Sequence, residues 1–225
     1  MGKRPIKIQL TGCSGVGKTT LANILNQHFG YTLLRDIPFV SGSYSDLVPQ
    51  TKNEKHADMI TKNPKLIYEQ DHQVLNLRHK QLRNLYNFVT DRSYIDSIAY
   101  LINKLSIHIK SCDIEHFITT CETLLERECT HLIFIPFTVK FLNEWEIEDN
   151  NKRVLNSYYQ FQISQLIFGI LDMFSFRPSN VKTWVVGEKT GTITLPMNGK
   201  KIEVLILDEL DFSRRTTIVK NFLGI

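Results

Sequence analysis

The octapeptide GCSGVGKT at residues 12–19 matches the pattern G-x-x-x-x-G-K-[ST] at every fixed position. In front of it, residues 6–10 (IKIQL) form a short apolar-rich run that predicts a buried strand. Behind it, residues 20–29 (TLANILNQHF) carry apolar side chains at helical spacing. A strand, a glycine-rich loop and a helix in this order are the context of a phosphate-binding loop. The octapeptide therefore predicts a nucleotide-phosphate site, and the alternative is a glycine-rich turn that binds nothing.

Each part of the predicted loop has a physical role. Its glycines allow backbone N–H groups to turn inward around a polyphosphate, and the helix N-terminus adds positive potential. Lys18 can reach the β- and γ-phosphates, and the Thr19 hydroxyl can ligate Mg²⁺. We expect ATP and Mg²⁺ as cofactors, with the phosphates bound by Gly12, Ser14, Gly15, Val16, Gly17, Lys18, Thr19 and Thr20.

The composition is ordinary for a globular protein, with 42% hydrophobic and 22% charged residues among 225. We predict one domain over residues 1–225, since no proline- or glycine-rich linker interrupts the chain. No apolar run approaches the ~20 residues of a membrane span, so we expect no membrane contact and a cytoplasmic protein, in the host cytoplasm if viral. Four cysteines without a CxxC pair indicate reduced thiols. The net charge of +4 attracts polyanions, and it is compatible with either nucleotides or nucleic acid as the ligand.

Strands and helices alternate along most of the chain, which predicts a parallel sheet with its ligand at the carboxyl ends of the strands. Further strands are predicted at residues 31–34, 85–90 and 131–135. Helices are predicted at residues 65–86, after an N-cap at Ser93, at 114–128, at 154–174 and after a cap at Ser213. Residues 182–207 read as a β-rich addition, with Asn198-Gly199 as a two-residue hairpin turn.

Charged residues follow the predicted strands, where they would surround Lys18 with carboxylates and cations. Phosphoryl transfer requires such a set, because its catalysis is mainly positioning and charge stabilisation. In chain order these residues are Arg35, Asp36, Asp91, Arg92 and Arg153.

Each of these residues has a functional and a structural interpretation. Asp91 would bind Mg²⁺ through water, or it caps a helix. Arg92 would bind a substrate phosphate or the transition state, or it pairs with Asp96 on the surface. Asp36 would orient or deprotonate an attacking hydroxyl, or it forms an Asx turn.

Two further segments flank the predicted site. Residues 144–153 would form a mobile lid, whose Arg153 closes on the phosphates or is held in surface pairs with the neighbouring acids. Residues 41–65 form an acceptor-side segment with scattered lysines. On the helix that follows, Gln70 could read a base edge through its amide, although a solvated helical face is equally consistent.

The order of these motifs resembles the thymidylate-kinase-like and deoxynucleoside-kinase-like P-loop kinases, particularly phage-type members. The resemblance covers residues 6–175 and rests on GxxxxGKT, on R-D-x-P at 35–38 and on D-R-S-x-x-D-x-x-A-Y at 91–100. It implies a P-loop kinase fold, with a five-stranded parallel sheet flanked by helices. The β-rich segment departs from the family pattern, and we expect it to form an added C-terminal β-hairpin. The implied catalytic residues are Lys18, Asp36, Arg92 and Arg153. The implied substrate-binding residues are Arg35, Asp36, Gln70 and Arg92, and Thr19 and Asp91 would hold the metal.

The resemblance implies an ATP-dependent kinase whose acceptor is a deoxynucleoside monophosphate, with a homodimer left open. Phage relatives include enzymes that phosphorylate 5-hydroxymethyluracil in DNA, and the basic charge and the 41–65 lysines suit this alternative, which makes DNA a second candidate partner. A switch or motor ATPase is the remaining alternative, since VLILDE at 204–209 ends an apolar strand in two acids. We interpret Asp208 and Glu209 instead as polar residues at a strand exit.

Overall fold

The computed structural model describes residues 5–32, 39–40, 62–137, 157–175, 190–197 and 200–224. Its strands are β1 (Lys7–Thr11), β2 (Phe39–Val40), β3 (Phe88–Thr90), β4 (His131–Phe134), β5 (Thr190–Met197) and β6 (Lys200–Leu207). Its helices are α1 (Lys18–Thr32), α2 (Pro64–Leu82), α3 (Tyr94–Leu105), α4 (Ser111–Glu128), α5 (Ser157–Ser175) and α6 (Phe212–Leu223).

In the described part of the chain the strands form one sheet in the order β2-β3-β1-β4-β6-β5. Strand β1 lies between β3 and β4 and is parallel to both. Strands β2 and β6 continue this parallel arrangement on either side, whereas β5 runs antiparallel to β6. An α/β fold with a parallel sheet and flanking helices is therefore confirmed. Residues 198–199, where we predicted the hairpin turn, lie outside the described residues.

Strand β1 is covered on both faces. Ile8 and Leu10 are fully buried, and so are the alternating polar residues Gln9 and Thr11. Burial on both faces is usual for a central parallel strand, because helices cover each side of the sheet. Gln9 is hydrogen-bonded in this position, since its Nε2 donates to the Glu128 carbonyl oxygen at 3.0 Å. The sheet therefore holds the residues that follow β1 in a fixed position.

The second strand is not where the sequence predicted it. Helix α1 continues through Tyr31 and Thr32, and β2 comprises Phe39–Val40. The β preference of a short apolar run is a weak signal, and a helix that is already formed extends at little cost. Arg35 and Asp36 thus precede β2 in the chain instead of following a strand at 31–34, and both lie outside the described residues.

The last helix also begins earlier than predicted. Asp211, and not Ser213, is its N-cap, and the Asp211 side chain accepts a hydrogen bond from the Arg214 N–H at 2.8 Å. Both residue types are good N-caps, so composition alone could not choose between them. None of the helices in the described ranges is long and apolar enough to cross a membrane.

Candidate functional site

The loop between β1 and α1 requires its glycines. Gly12, Gly15 and Gly17 all have positive φ, at 147°, 89° and 86°. A Cβ on Gly12 would also lie 2.5 Å from the Ile135 carbonyl oxygen. Residues that carry a Cβ are disfavoured at positive φ, whereas glycine adopts it readily. The predicted strand, loop and helix are thus present, and the loop has the backbone shape that glycine permits.

Lys18 begins α1 and is folded back over the loop. Its buried Nζ donates hydrogen bonds to the carbonyl oxygens of Gly12 (2.6 Å) and Cys13 (2.5 Å). Burial lowers the pKa of Lys18 to about 8, and the positive charge of Arg92 adds to this effect. An anion beside this ammonium would relieve both costs, because it favours the charged form.

The next residue along the chain, Thr19, contacts Asp91. Thr19 is an exposed residue, and its hydroxyl donates a hydrogen bond to Asp91 Oδ2 at 2.5 Å. Asp91 is buried and directly follows β3, the parallel neighbour of β1. The structure thus brings together the two oxygen ligands that the sequence predicted for a metal.

Arg92 also reaches the loop. Its Nη2 donates to Ser14 Oγ at 3.4 Å, and its guanidinium lies over the Tyr100 ring, 5.5 Å from the centroid. The Tyr100 hydroxyl lies 3.3 Å from the same Ser14 oxygen. Burial disfavours the charge of Arg92, but Tyr100 and Asp96 more than offset this and raise its pKa. A permanent cation therefore lies beside the phosphate-binding loop.

Asp96 is a residue of this site that the sequence analysis did not assign to it. It is buried, and its Oδ1 accepts hydrogen bonds from the Gly12 N–H (3.0 Å) and the Thr11 hydroxyl (3.2 Å). Its Oδ2 accepts from the Ser93 N–H at 2.7 Å and completes a capping box with Ser93. The interpretation of Asp96 as a surface partner of Arg92 is wrong, because the carboxylate is used inside the protein. The Ser93-x-x-Asp96 spacing was the available signal for the cap, but not for the contact with the loop.

The acidic pair after β6 has a different environment. Glu209 Oε1 accepts hydrogen bonds from the backbone N–H groups of Leu210 (2.8 Å) and Asp211 (3.1 Å). The carboxylate thus stabilises the turn that leads into α6. This geometry agrees with the interpretation of Glu209 as a polar residue at the exit of a strand.

Among the remaining candidates, Gln70 is the one that lies within the described residues. Gln70 is half-buried on α2, and its neighbour Gln73 is exposed. Arg153 and the lid segment at residues 144–153 lie outside the described residues, as do residues 41–61 of the acceptor-side segment. The roles assigned to these residues, and to Arg35 and Asp36, stay predictions.

Comparison with known proteins gives one family and several similar folds. A family model described as "AAA domain" matches residues 7–182. No curated protein shows significant similarity to the chain. A structure of deoxyadenosine kinase from M. mycoides with the products dCMP and a flexible dCDP bound has a TM-score of 0.63 at 14% identity, covering 97% of this chain and 98% of that one. The same enzyme with bound dATP has a TM-score of 0.59 at 16% identity, covering 98% and 100%. At this identity the likeness shows a shared fold.

Proposed function

The chain belongs to the AAA domain family, and from this membership and its site we propose an ATP-dependent kinase that phosphorylates a nucleoside- or nucleotide-type acceptor. One observation carries the proposal. The phosphate-binding loop is surrounded by three groups: the Lys18 ammonium, the paired oxygens of Thr19 and Asp91, and the Arg92 guanidinium. Phosphoryl transfer needs this set, since its catalysis is mainly positioning and charge stabilisation.

Lys18 would hold the phosphates of ATP. It would exchange its bonds to the Gly12 and Cys13 carbonyl oxygens for bonds to phosphate oxygens. The exchange is favourable because the buried ammonium lacks a counterion among these partners, and a phosphate supplies one. Arg92, beside Ser14, would stabilise the charge on the transferred group or on the acceptor.

The residues present fit a magnesium ion. Thr19 Oγ1, as a direct ligand, and Asp91 Oδ2, acting through water, are hard oxygen donors that already lie together at the end of the loop. Mg²⁺ is usually bound by one or two such protein ligands, with phosphate oxygens and water completing its shell. The ion would neutralise charge on the phosphates, and Asp91 would orient it.

For the acceptor we favour a deoxynucleoside monophosphate. The support is the motif resemblance described in the sequence analysis. The shared fold with deoxyadenosine kinase, whose structures hold the products dCMP and dCDP, dCTP or dATP, supports a nucleoside or nucleotide acceptor in general. Because that enzyme is named as a kinase of deoxyadenosine, unphosphorylated deoxynucleosides must also be tested as acceptors. The hydroxymethyl group of 5-hydroxymethyluracil in DNA is the alternative, and the net charge of +4 is its support.

An ATPase without an acceptor is the competing function, because the family is described as an AAA domain. Such an enzyme would use a late acidic pair to polarise water. Here the Glu209 carboxylate is engaged with the Leu210 and Asp211 N–H groups, and it is Asp91 that contacts Thr19. These contacts favour the kinase.

Transfer of label from [γ-³²P]ATP to defined acceptors tests the proposal. The panel comprises deoxynucleosides, deoxynucleoside monophosphates, plain DNA and DNA that contains 5-hydroxymethyluracil. We expect label on one of the deoxynucleotide-type acceptors, and loss of transfer in Lys18→Ala. Lys80→Ala, which removes an exposed lysine on α2, is the matched control. ATP hydrolysis that no acceptor accelerates, with no labelled product, would contradict the kinase and favour the ATPase.

A further inference from the structure

The C-terminal helix α6 contacts the phosphate-binding loop through a buried arginine. Arg215 is 1% exposed, although it carries a charge. Its Nη1 donates a hydrogen bond to the Val16 carbonyl oxygen at 2.8 Å, and its Nε donates to the Glu209 carbonyl oxygen. The guanidinium thus joins the turn after β6 to a loop 199 residues earlier in the chain.

The Val16 carbonyl belongs to the same peptide unit as the Gly17 N–H. In a trans peptide the C=O of one residue and the N–H of the next share a plane and point in opposite directions. No peptide bond in the described part of the chain is cis. A group that fixes the Val16 carbonyl therefore also fixes the direction of the Gly17 N–H, on the opposite side of the same peptide. Loop N–H groups are what a phosphate-binding loop offers to its ligand.

Packing around Gly17 holds the arginine and the loop together. A Cβ on Gly17 would lie 2.6 Å from Phe212 Cζ and 3.0 Å from Arg215 Nη1. The Arg215 guanidinium in turn lies over the Phe212 ring, 4.9 Å from its centroid. Interiors packed this closely leave little room for a rotation of the peptide. The side of the loop at Gly17 is therefore in contact with α6.

We propose that Arg215 is a positioning residue for the phosphates, which holds the Val16–Gly17 peptide so that the Gly17 N–H faces the bound nucleotide. It acts through the loop and does not touch the ligand. The proposal rests on the nucleotide binding proposed above, but not on the identity of the acceptor.

Arg215→Gln separates the two hydrogen bonds of the guanidinium. The glutamine amide nitrogen takes the place of Nε, so it can still donate to the Glu209 carbonyl but does not reach Val16. We expect the affinity for ATP, measured by calorimetry, to fall about tenfold, as for loss of one charge-assisted contact. The affinity for inorganic tripolyphosphate should fall by the same factor, because the proposed effect concerns only phosphate oxygens. The KM for the acceptor should not change.

Arg214→Gln is the matched control. Arg214 is the preceding residue on the same helix, its side chain is 76% exposed, and it lies 3.9 Å from Glu209. We expect this variant to bind ATP as the wild type does. A residue that only supports the fold would lower the melting temperature and leave the ATP affinity of the folded protein unchanged.

Each outcome decides the proposal. Wild-type ATP affinity in folded Arg215→Gln overturns it, and so does weaker ATP binding with unchanged tripolyphosphate binding. If Arg215→Gln does not fold, Arg215→Lys decides, because one ammonium cannot hold both carbonyl oxygens in the geometry of the guanidinium. We then expect at least threefold weaker ATP binding, and wild-type affinity overturns the proposal. A wild-type protein that binds no ATP would refute the proposed function, and this inference with it.

Discussion

The Thr19 hydroxyl and the Asp91 carboxylate lie 2.5 Å apart, although 72 residues separate them in the chain. The parallel sheet explains the contact, because Gln9 of β1 is in register with Thr90 of β3. The residues that follow these two strands therefore meet at one edge of the sheet. This edge is where ligands of open parallel sheets bind.

Asp91→Asn tests the role of this pair. Asparagine keeps the shape and can still accept the Thr19 hydrogen bond, but it loses the charge that a magnesium ion requires. We expect kcat to fall about 100-fold, which corresponds to ~2.7 kcal/mol of transition-state stabilisation. Steady-state assays at increasing Mg²⁺ concentration measure this loss. An Asp91→Asn enzyme with the wild-type turnover and magnesium requirement would remove Asp91 from the site.

The double variant Asp208→Asn with Glu209→Gln should leave transfer nearly unchanged. The Glu209 side chain serves the turn before α6, and a glutamine oxygen can still accept from the Leu210 and Asp211 N–H groups. Acceptor-dependent transfer and ATP hydrolysis without acceptor are measured side by side. If only this double variant abolishes hydrolysis, while Asp91→Asn retains it, the chain is an ATPase.

Asp96→Asn should destabilise the protein and weaken ATP binding together. One of the two side-chain oxygens becomes an NH₂ group, which then faces a donor, either the Gly12 or the Ser93 N–H. Leaving such a buried donor unsatisfied costs about 1–3 kcal/mol, which urea denaturation can measure. Asp71→Asn is the matched control, because Asp71 forms a mostly buried ion pair with Lys104 at 2.8 Å, between α2 and α3. Loss of this pair should also destabilise the protein, because it leaves a charge without its partner, but it should leave the affinity for ATP unchanged. Equal losses of ATP affinity in the two variants would contradict a special role for Asp96.

The affinity for ATP should fall as the pH rises above about 8. Burial lowers the pKa of Lys18 to about 8, so the free protein loses this charge above that pH. Bound phosphate favours the ammonium, and the pKa in the complex is therefore higher. Between the two pKa values the dissociation constant should rise by up to about tenfold per pH unit. Calorimetric titrations between pH 7 and 9.5 measure this dependence. Lys18→Arg, which stays charged, should lack it, and a pH-independent affinity in the wild type would contradict the lysine–phosphate contact.

The salt dependence of acceptor binding separates a free nucleotide from DNA. A DNA acceptor releases counterions, so log affinity should fall with log salt by about 0.7–0.9 per phosphate neutralised. For the favoured monophosphate we expect a shallow dependence and little change of the acceptor KM in the triple variant Lys52→Ala, Lys55→Ala and Lys62→Ala. A steep dependence that the triple variant loses would favour the DNA acceptor.

The local pattern was sufficient for the loop and for part of the site. The glycines, Lys18 and Thr19 lie within eight residues of one another, where the chain geometry leaves few alternatives. Asp91 could be predicted as well, because a residue that follows a parallel strand must lie at the carboxyl edge of the sheet. The strand predicted at residues 31–34 was wrong at Tyr31 and Thr32, which belong to helix α1. A short apolar run fits either a strand or the last turn of a helix, and the environment decides.

The partners of buried charges could not be predicted in this way. Asp96 looked like a surface residue four positions from Arg92, and only the packing of α3 against the loop directs its carboxylate to the Gly12 N–H. Arg215 lies almost 200 residues from Val16, and no pattern in the chain links them. Spacing along a chain specifies neighbours within one helix, one strand or one turn. A contact between elements depends on how they pack, and so the residues that hold the phosphate-binding loop in place were visible only in the folded protein.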